Sequence, residues 1–231
     1  MKLPLFSKST APGAVIGDPR VATVLERLHG AASGQKLQIV RTFGGALLGR
    51  KRLSWQDLAE RARDLYLPLS PQQGELCYLL ARSIGARRIV EFGTSLGVST
   101  IYLAAAVRDN GGGLVTGTEL VVDKARRARQ HLDEAGLAAF AEVREGDALE
   151  TLRDLDEPID MLLLDGWKDG YLPAIKLLGP HVRRGGLVIG DNIFTFRRDL
   201  APYVAYMQDP RNGFRSSTLN LADGTELSVR V

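Results

Sequence analysis

The chain has 231 residues, 45% of them apolar and 25% charged, which suits one domain with a full hydrophobic core. Thirty basic residues against 27 acidic ones leave a formal charge of +3, so the signs nearly cancel and a nucleic-acid binder built on one basic face is disfavoured. The single cysteine, Cys77, excludes an internal disulfide and a cysteine-based zinc centre.

The first twenty residues are broken by Pro4, Pro12, Gly13, Gly17 and Pro19 and hold no continuous apolar h-region. No stretch reaches the roughly 18 apolar residues of a membrane span, so a cytoplasmic protein without membrane or nucleic-acid partners is expected. Basic clusters at Lys124, Arg126, Arg127 and Arg129, and at Arg183, Arg184, Arg197 and Arg198, read as solvated surface. Cys77, inside the run LCYLLA, reads as a buried structural thiol. Helical spacing of Trp55, Leu58, Ala59, Ala62 and Leu65 predicts a helix over Trp55–Tyr66, with Ser54 as its N-cap. A second helix is expected over Gln72–Ile84, ended by Gly85.

From Arg87 onward, β-rich runs at Ile89–Phe92, Leu114–Thr118, Ala141–Arg144, Ile159–Leu164 and Leu187–Ile189 alternate with helical stretches such as Val98–Val107 and Asp123–Ala135. That alternation means βαβ units and a parallel sheet. Ser216–Leu221 and Glu226–Val231 flank Asp223-Gly224, a hairpin-turn signal. The expected fold is a doubly wound, Rossmann-like α/β domain. Its sheet is mostly parallel with an antiparallel C-terminal hairpin, its helices lie on both faces, and extra helices precede it.

Ligands of such sheets bind at the carboxyl ends of the strands. The run IVEFGTSLGVSTIYLA (Ile89–Ala104) is a strand, a glycine turn and a helix start. Gly93 and Gly97 allow a tight turn and close approach to a ligand; Thr94 and Ser95 lie between them, and Ser99 with the first helical N–H groups can hold a carboxylate. The Gly-x-x-x-Gly spacing departs from the dinucleotide fingerprint and suits a cofactor with an amino-acid end. Glu119, ending the second strand, is placed to accept from ribose hydroxyls. Leu120 can pack on an adenine ring, and Asp147, followed by Ala148, can accept from its amino group. The alternatives at these positions are a plain βα turn and acids that cap helices.

MLLLDGWKDGYLP (Met161–Pro173) and GGLVIGDNIF (Gly185–Phe194) are apolar strands that end in acid: Asp165 in one, Asp191 followed by Asn192 in the other. A right-handed crossover makes these strands neighbours, so two carboxylates and a carboxamide converge. Like charges so close call for a cation, and oxygen donors without histidine or thiolate suit Mg²⁺ or another hard divalent ion. The three histidines, His29, His131 and His181, lie outside these motifs. Lys168, three residues after Asp165, can reach a metal-bound substrate as general base. Trp167 and Tyr171 wall an aromatic pocket, or Tyr171 packs in the core.

These residues resemble the cation-dependent, class I S-adenosylmethionine-dependent O-methyltransferases that include catechol O-methyltransferase and the caffeoyl-CoA type enzymes. LLDGWKDGYLP resembles the metal-aspartate, tryptophan and lysine segment of the former; LSPQQGELCYLLA (Leu69–Ala81) resembles a serine-proline segment of the latter. The resemblance covers about Leu65 to Val231, the expected catalytic core of a single domain over 1–231, and leaves the first fifty residues unmatched. It implies a metal held by Asp165, Asp191 and Asn192, with Lys168 as base. It also implies Glu119 on the ribose and Glu91, Gly93 and Ser99 around the methionine part, with Leu69, Asp165 and Trp167 completing the cofactor set. An ortho-diol small molecule is the implied acceptor. Four positions depart from catechol O-methyltransferase. Gly166 replaces a histidine, and residues 65–67 replace a gatekeeping tryptophan. Ser216 or Ser217 falls where a glutamate precedes the last hairpin, and Phe196 replaces a proline. A metal-independent methyltransferase, a nicotinamide-dependent dehydrogenase and a non-catalytic cofactor-binding module are the rival readings. The N-terminal helices cover the acceptor pocket or form a homodimer contact.

Overall fold

The computed structural model describes residues 11–35, 38, 41 and 61–231. Ser54 and most of the helix expected over Trp55–Tyr66 lie outside them. Where the description resumes, Arg61 is helical but residues 62–64 form a turn, and residues 65–70 form neither helix nor strand. Helical continuation is opposed by Pro68, which disfavours the α region for the residue before it. The Tyr66 N–H is bound instead by Gln35 Oε1 at 2.8 Å.

The first helix, α1 (Pro19–Gly34), starts on an Asp18 cap with Pro19 at its first position. Next comes α2 (Pro71–Ser83), which begins with a capping box: Ser70 Oγ accepts from the Gln73 N–H, and the Gln73 side chain accepts from the Ser70 N–H. The sheet region then alternates as expected: β1 (Arg88–Phe92), α3 (Val98–Asp109), β2 (Leu114–Glu119), α4 (Val122–Glu134), β3 (Ala141–Glu145), a single-turn α5 (Ala148–Thr151) and β4 (Ile159–Leu164). It continues through α6 (Tyr171–Leu178), β5 (Val182–Gly190), α7 (Arg197–Gln208), β6 (Phe214–Leu219) and β7 (Thr225–Arg230). The seven strands lie in the order β3-β2-β1-β4-β5-β7-β6, with β1 to β5 parallel and β7 antiparallel to both its neighbours.

Alternate strand residues feed two cores. Ile89, Met161, Leu163 and Ile189 join α1 to α4 on one face. Val90, Leu162, Leu164 and Val188 join α6 and α7 on the other. Covered on both sides, β4 is apolar at every position except Asp160, as a central parallel strand must be. Gly74 of α2 is needed because a side chain there would fall on the Tyr102 ring of α3. Among the described residues, no helix is long and apolar enough to cross a membrane.

The register aligns the strand ends. Thr118, Phe92, Leu164 and Gly190 are successive partners across β2, β1, β4 and β5, and Gly190 faces Glu226 of β7. The residues one step beyond them are Glu119, Gly93, Asp165 and Asp191, with Thr225 on β7. They form a row across the sheet at about 4.8 Å per strand.

Candidate active site at the strand tips

On the β1 side, Glu91 is fully buried. Thr94 and Thr100 hydroxyls donate to its Oε2 at 2.7 and 2.6 Å, while Oε1 and the nearby Ser95 Oγ have no partner. Burial raises the Glu91 pKa, and the hydroxyls of Ser99, Thr100 and Thr94 oppose the shift. Gly93 has φ +98°, and a Cβ there would fall on the Gly166 backbone, so the β1 and β4 loops touch backbone to backbone. Gly97 is left-handed at the N-cap of α3 and provides no side-chain cap, which leaves the first-turn N–H groups facing the loop. Glu119 braces that loop: Oε2 accepts the Ser95 N–H and Oε1 the Val121 N–H, both at 2.8 Å.

A cavity at this place is lined by residues 66–68, 93–96, 98, 99 and Asp165. Gly93, Thr94, Ser95, Ser99 and Asp165 therefore stand on its wall. Leu69 does not: it is buried in the first core, and its neighbours Tyr66, Leu67 and Pro68 line the cavity. Sequence reading missed Tyr66, which is held by Arg127 through a hydrogen bond to its hydroxyl and a guanidinium 5.1 Å from its ring. Lys124, read as solvated surface, is buried; Arg127 is engaged with Tyr66, and Arg129 with Glu145 and the Val143 carbonyl. Leu120 follows β2, and Asp147 follows β3, where it caps α5 by accepting the Leu149 N–H at 2.8 Å ahead of Ala148.

On the β4–β5 side, the Asp165 N–H donates to Phe92 O at 2.9 Å and the Asp191 N–H to Leu164 O at 3.1 Å, fixing both acids at the sheet edge. Burial first, and then the Asp191 charge, holds the Asp165 carboxyl well above the usual range. Asp191 is raised by burial too, against the opposing pull of Lys168. The two acids follow paired strand-end residues, Leu164 and Gly190, and the Lys168 charge lowers both. Asn192, left-handed at φ 62°, donates from Nδ2 to Asp191 Oδ2 at 2.9 Å. Asp191 Oδ1 accepts from Gln73 Nε2. Among the described residues no group of three His, Cys, Asp or Glu side chains gathers, so this set is two carboxylates and a carboxamide.

Lys168 Nζ lies 3.6 Å from Asp165 Oδ1 and donates to Tyr171 Oη at 2.9 Å. It faces the Tyr171 and Phe196 rings at 4.9 and 5.6 Å. Burial lowers its pKa, while Asp165 and Asp191 oppose that shift. Tyr171 belongs to the core, edge-on to Phe92 and Tyr203, and its hydroxyl donates to Asp191 O at 3.2 Å. Trp167 is half-buried in the same loop. Gly166, where the resemblance led to a histidine, is required here: a Cβ would come within 2.8 Å of the Phe92 ring. Ser216 lies away from the acids, donating to the buried Glu226. A further carboxylate whose charge reaches Lys168 and Asp191, more weakly, is Asp223, in the β6–β7 turn, which sequence reading treated only as a turn residue. Cys77 is buried with its thiol pKa pushed up by burial, as a structural cysteine should be.

A family model described as a methyltransferase domain matches residues 90–193. The chain is similar to a catechol O-methyltransferase of Mycobacterium tuberculosis, 37% identical over 142 residues, covering 61% of this chain and 62% of that protein. It is also similar to caffeoyl-CoA O-methyltransferase 3 of Nicotiana tabacum, 29% identical over 153 residues, with coverage of 61% and 62%. The matches span about three fifths of the length of the first curated relatives, 62%, 58% and 61%. Among solved structures, the fold resembles the O-methyltransferase TomG from Streptomyces achromogenes in complex with SAM. That match has a TM-score of 0.66 and 28% identity over 78% of this chain and 91% of that one.

Proposed function

We propose that this chain is a class I S-adenosylmethionine-dependent O-methyltransferase, a reading its similarities support, and that it methylates one oxygen of a catechol-like vicinal diol with the help of a divalent cation. The observation that supports this reading is that Asp165 and Asp191 end the two strands next along from the Gly93 turn, with Lys168 Nζ 3.6 Å from Asp165 Oδ1.

The residues present fit S-adenosylmethionine. Glu91 Oε1 is a buried, unsatisfied acceptor suited to an ammonium group, and the open first turn of α3 with Ser99 suits a carboxylate. Glu119 keeps lone pairs for ribose hydroxyls, and Leu120, Asp147 and Ala148 would border the adenine. A hard divalent ion such as Mg²⁺ fits Asp165, Asp191 and Asn192, because oxygen donors alone surround that point and two buried carboxylates repel each other without it. Such an ion supplies charge that offsets the acids and makes a neighbouring hydroxyl more acidic. Lys168 then takes the hydroxyl proton: burial favours its neutral amine, and Tyr171 holds Nζ in place. The overall transfer forms one C–O bond, breaks one C–S bond and leaves the proton on Lys168. Phe196 and Trp167 offer aromatic surface to a planar acceptor.

A panel of ortho-diols with labelled S-adenosylmethionine, with and without Mg²⁺, tests the reading. Methyl transfer that requires the cation is expected, with Asp165→Ala and Lys168→Ala folded and inactive. Full activity in excess EDTA, or near-normal turnover by either variant, would overturn it.

A further inference from the structure

Gln73 belongs to α2, an element that supplies none of the expected metal ligands, yet it is buried at 4% exposure against one of them. The orientation of its amide is fixed independently of that contact. Its Oε1 accepts the Ser70 backbone N–H at 3.1 Å, and a backbone N–H can only donate, so the NH₂ group must point the other way. There Nε2 donates to Asp191 Oδ1, and to Thr225 Oγ1 at 3.1 Å. A helix-capping glutamine needs only the Oε1 contact. The two Nε2 bonds cross instead to β5 and β7, 118 and 152 residues further along the chain.

Asp191 is thereby held from both sides, by Gln73 on Oδ1 and by Asn192 on Oδ2. A free aspartate rotates about two side-chain bonds, and a cation selects one of those orientations. A partner that pre-selects it removes that ordering cost, and such partners typically control metal affinity by about 10–100-fold.

We propose that Gln73 is a positioning residue that presents the Asp191 carboxylate for cation binding; this rests on the metal-site reading above. The test uses Mn²⁺ as probe, with free ion measured by electron paramagnetic resonance on the full chain, beside melting curves and S-adenosylhomocysteine affinity. Gln73→Met, close in shape but unable to donate, is expected to bind Mn²⁺ about 10–100-fold more weakly with cofactor-product affinity unchanged. Ser70→Ala removes the hydroxyl half of the cap while leaving the bond to Asp191, and is expected to lower the melting temperature and keep Mn²⁺ affinity. Unchanged Mn²⁺ affinity in Gln73→Met, or an equal loss in Ser70→Ala, overturns the proposal. Should Gln73→Met not fold, Thr225→Val reads the same anchor: weaker Mn²⁺ binding is expected, and equal affinity overturns it. A wild-type chain that binds no Mn²⁺ removes the metal site and this role together, whereas wild-type binding matched by Gln73→Met removes this role alone.

Discussion

Glu91 and Asp165 are carboxylates near the tips of adjacent strands, and both are raised by burial, but their surroundings differ in kind. Glu91 is a single acid ringed by threonine hydroxyls, with one oxygen left over. Asp165 faces a second acid, Asp191, and a lysine that cannot neutralise both. The β1 half is therefore organised for a ligand of fixed shape that completes a hydrogen-bond shell. The β4–β5 half stores like-charge repulsion and calls for positive charge. Neutral hydroxyls hold a geometry without strain; paired carboxylates hold one only at a cost that a cation relieves.

If the two halves do separate tasks, their variants should separate too. The largest effect is expected for Lys168→Met, which should lower turnover about 10²–10⁴-fold while leaving cofactor affinity intact. A parallel loss of cofactor binding, measured calorimetrically, would merge the halves. Glu91→Gln should do the reverse. Replacing a charged acceptor by an amide at Oε1 should weaken S-adenosylmethionine by about 1.5–3 kcal/mol, roughly 10–100-fold, and leave Mn²⁺ affinity as it was.

A smaller effect sharpens the contrast in stability. In metal-free protein at neutral pH, Asp165→Asn removes a buried acid whose charged form burial and Asp191 both disfavour, so the melting temperature should rise by a few degrees although transfer is lost. A drop would show that the Lys168 pairing outweighs the repulsion. The smallest expectation concerns neither half but the helices behind them. Burial depresses the pKa of His29 and of His131, whose Nδ1 pairs with the Leu96 carbonyl at 2.9 Å. With folded pKa values below 6.5, both are neutral in either state at higher pH, and the unfolded chain gains protons first as pH falls. The melting temperature should therefore hold above about pH 6.5 and decline below it, and His131→Gln should flatten that decline.

How much of this was legible in sequence varies with the range of the forces involved. The bounds of β4 could be read off directly, because a strand covered on both faces is an apolar run that ends where Asp165 begins. The first residues of β5 could not. Arg183-Arg184-Gly185-Gly186 has turn chemistry, yet Val182 pairs with Ile159 before the register shifts, so tertiary pairing overrides local preference. The hairpin turn runs over residues 220–224, two residues earlier than Asp223-Gly224 alone implied for the end of β6, which stops at Leu219. The convergence of Asp165 with Asp191 followed from topology, because a crossover between parallel strands makes neighbours. Gln73 and Asp223 were hidden for the opposite reason. Their partners lie far along the chain, and no periodicity encodes such contacts. The spacing Ser70-x-x-Gln73 fits a capping box, but that motif involves only one end of the amide.

The contact between Gly93 and Gly166 has a consequence for engineering. Two loops that the proposed function assigns to different ligands rest on each other with no side chain between them, like machined faces closed without a gasket. On the function proposed above, the spacing between methyl donor and acceptor oxygen would be set by main chain at this contact. Any residue with a Cβ at Gly93 would act as a shim against the Gly166 backbone, and on the proposed reading Gly93→Ala is expected to push donor and acceptor apart.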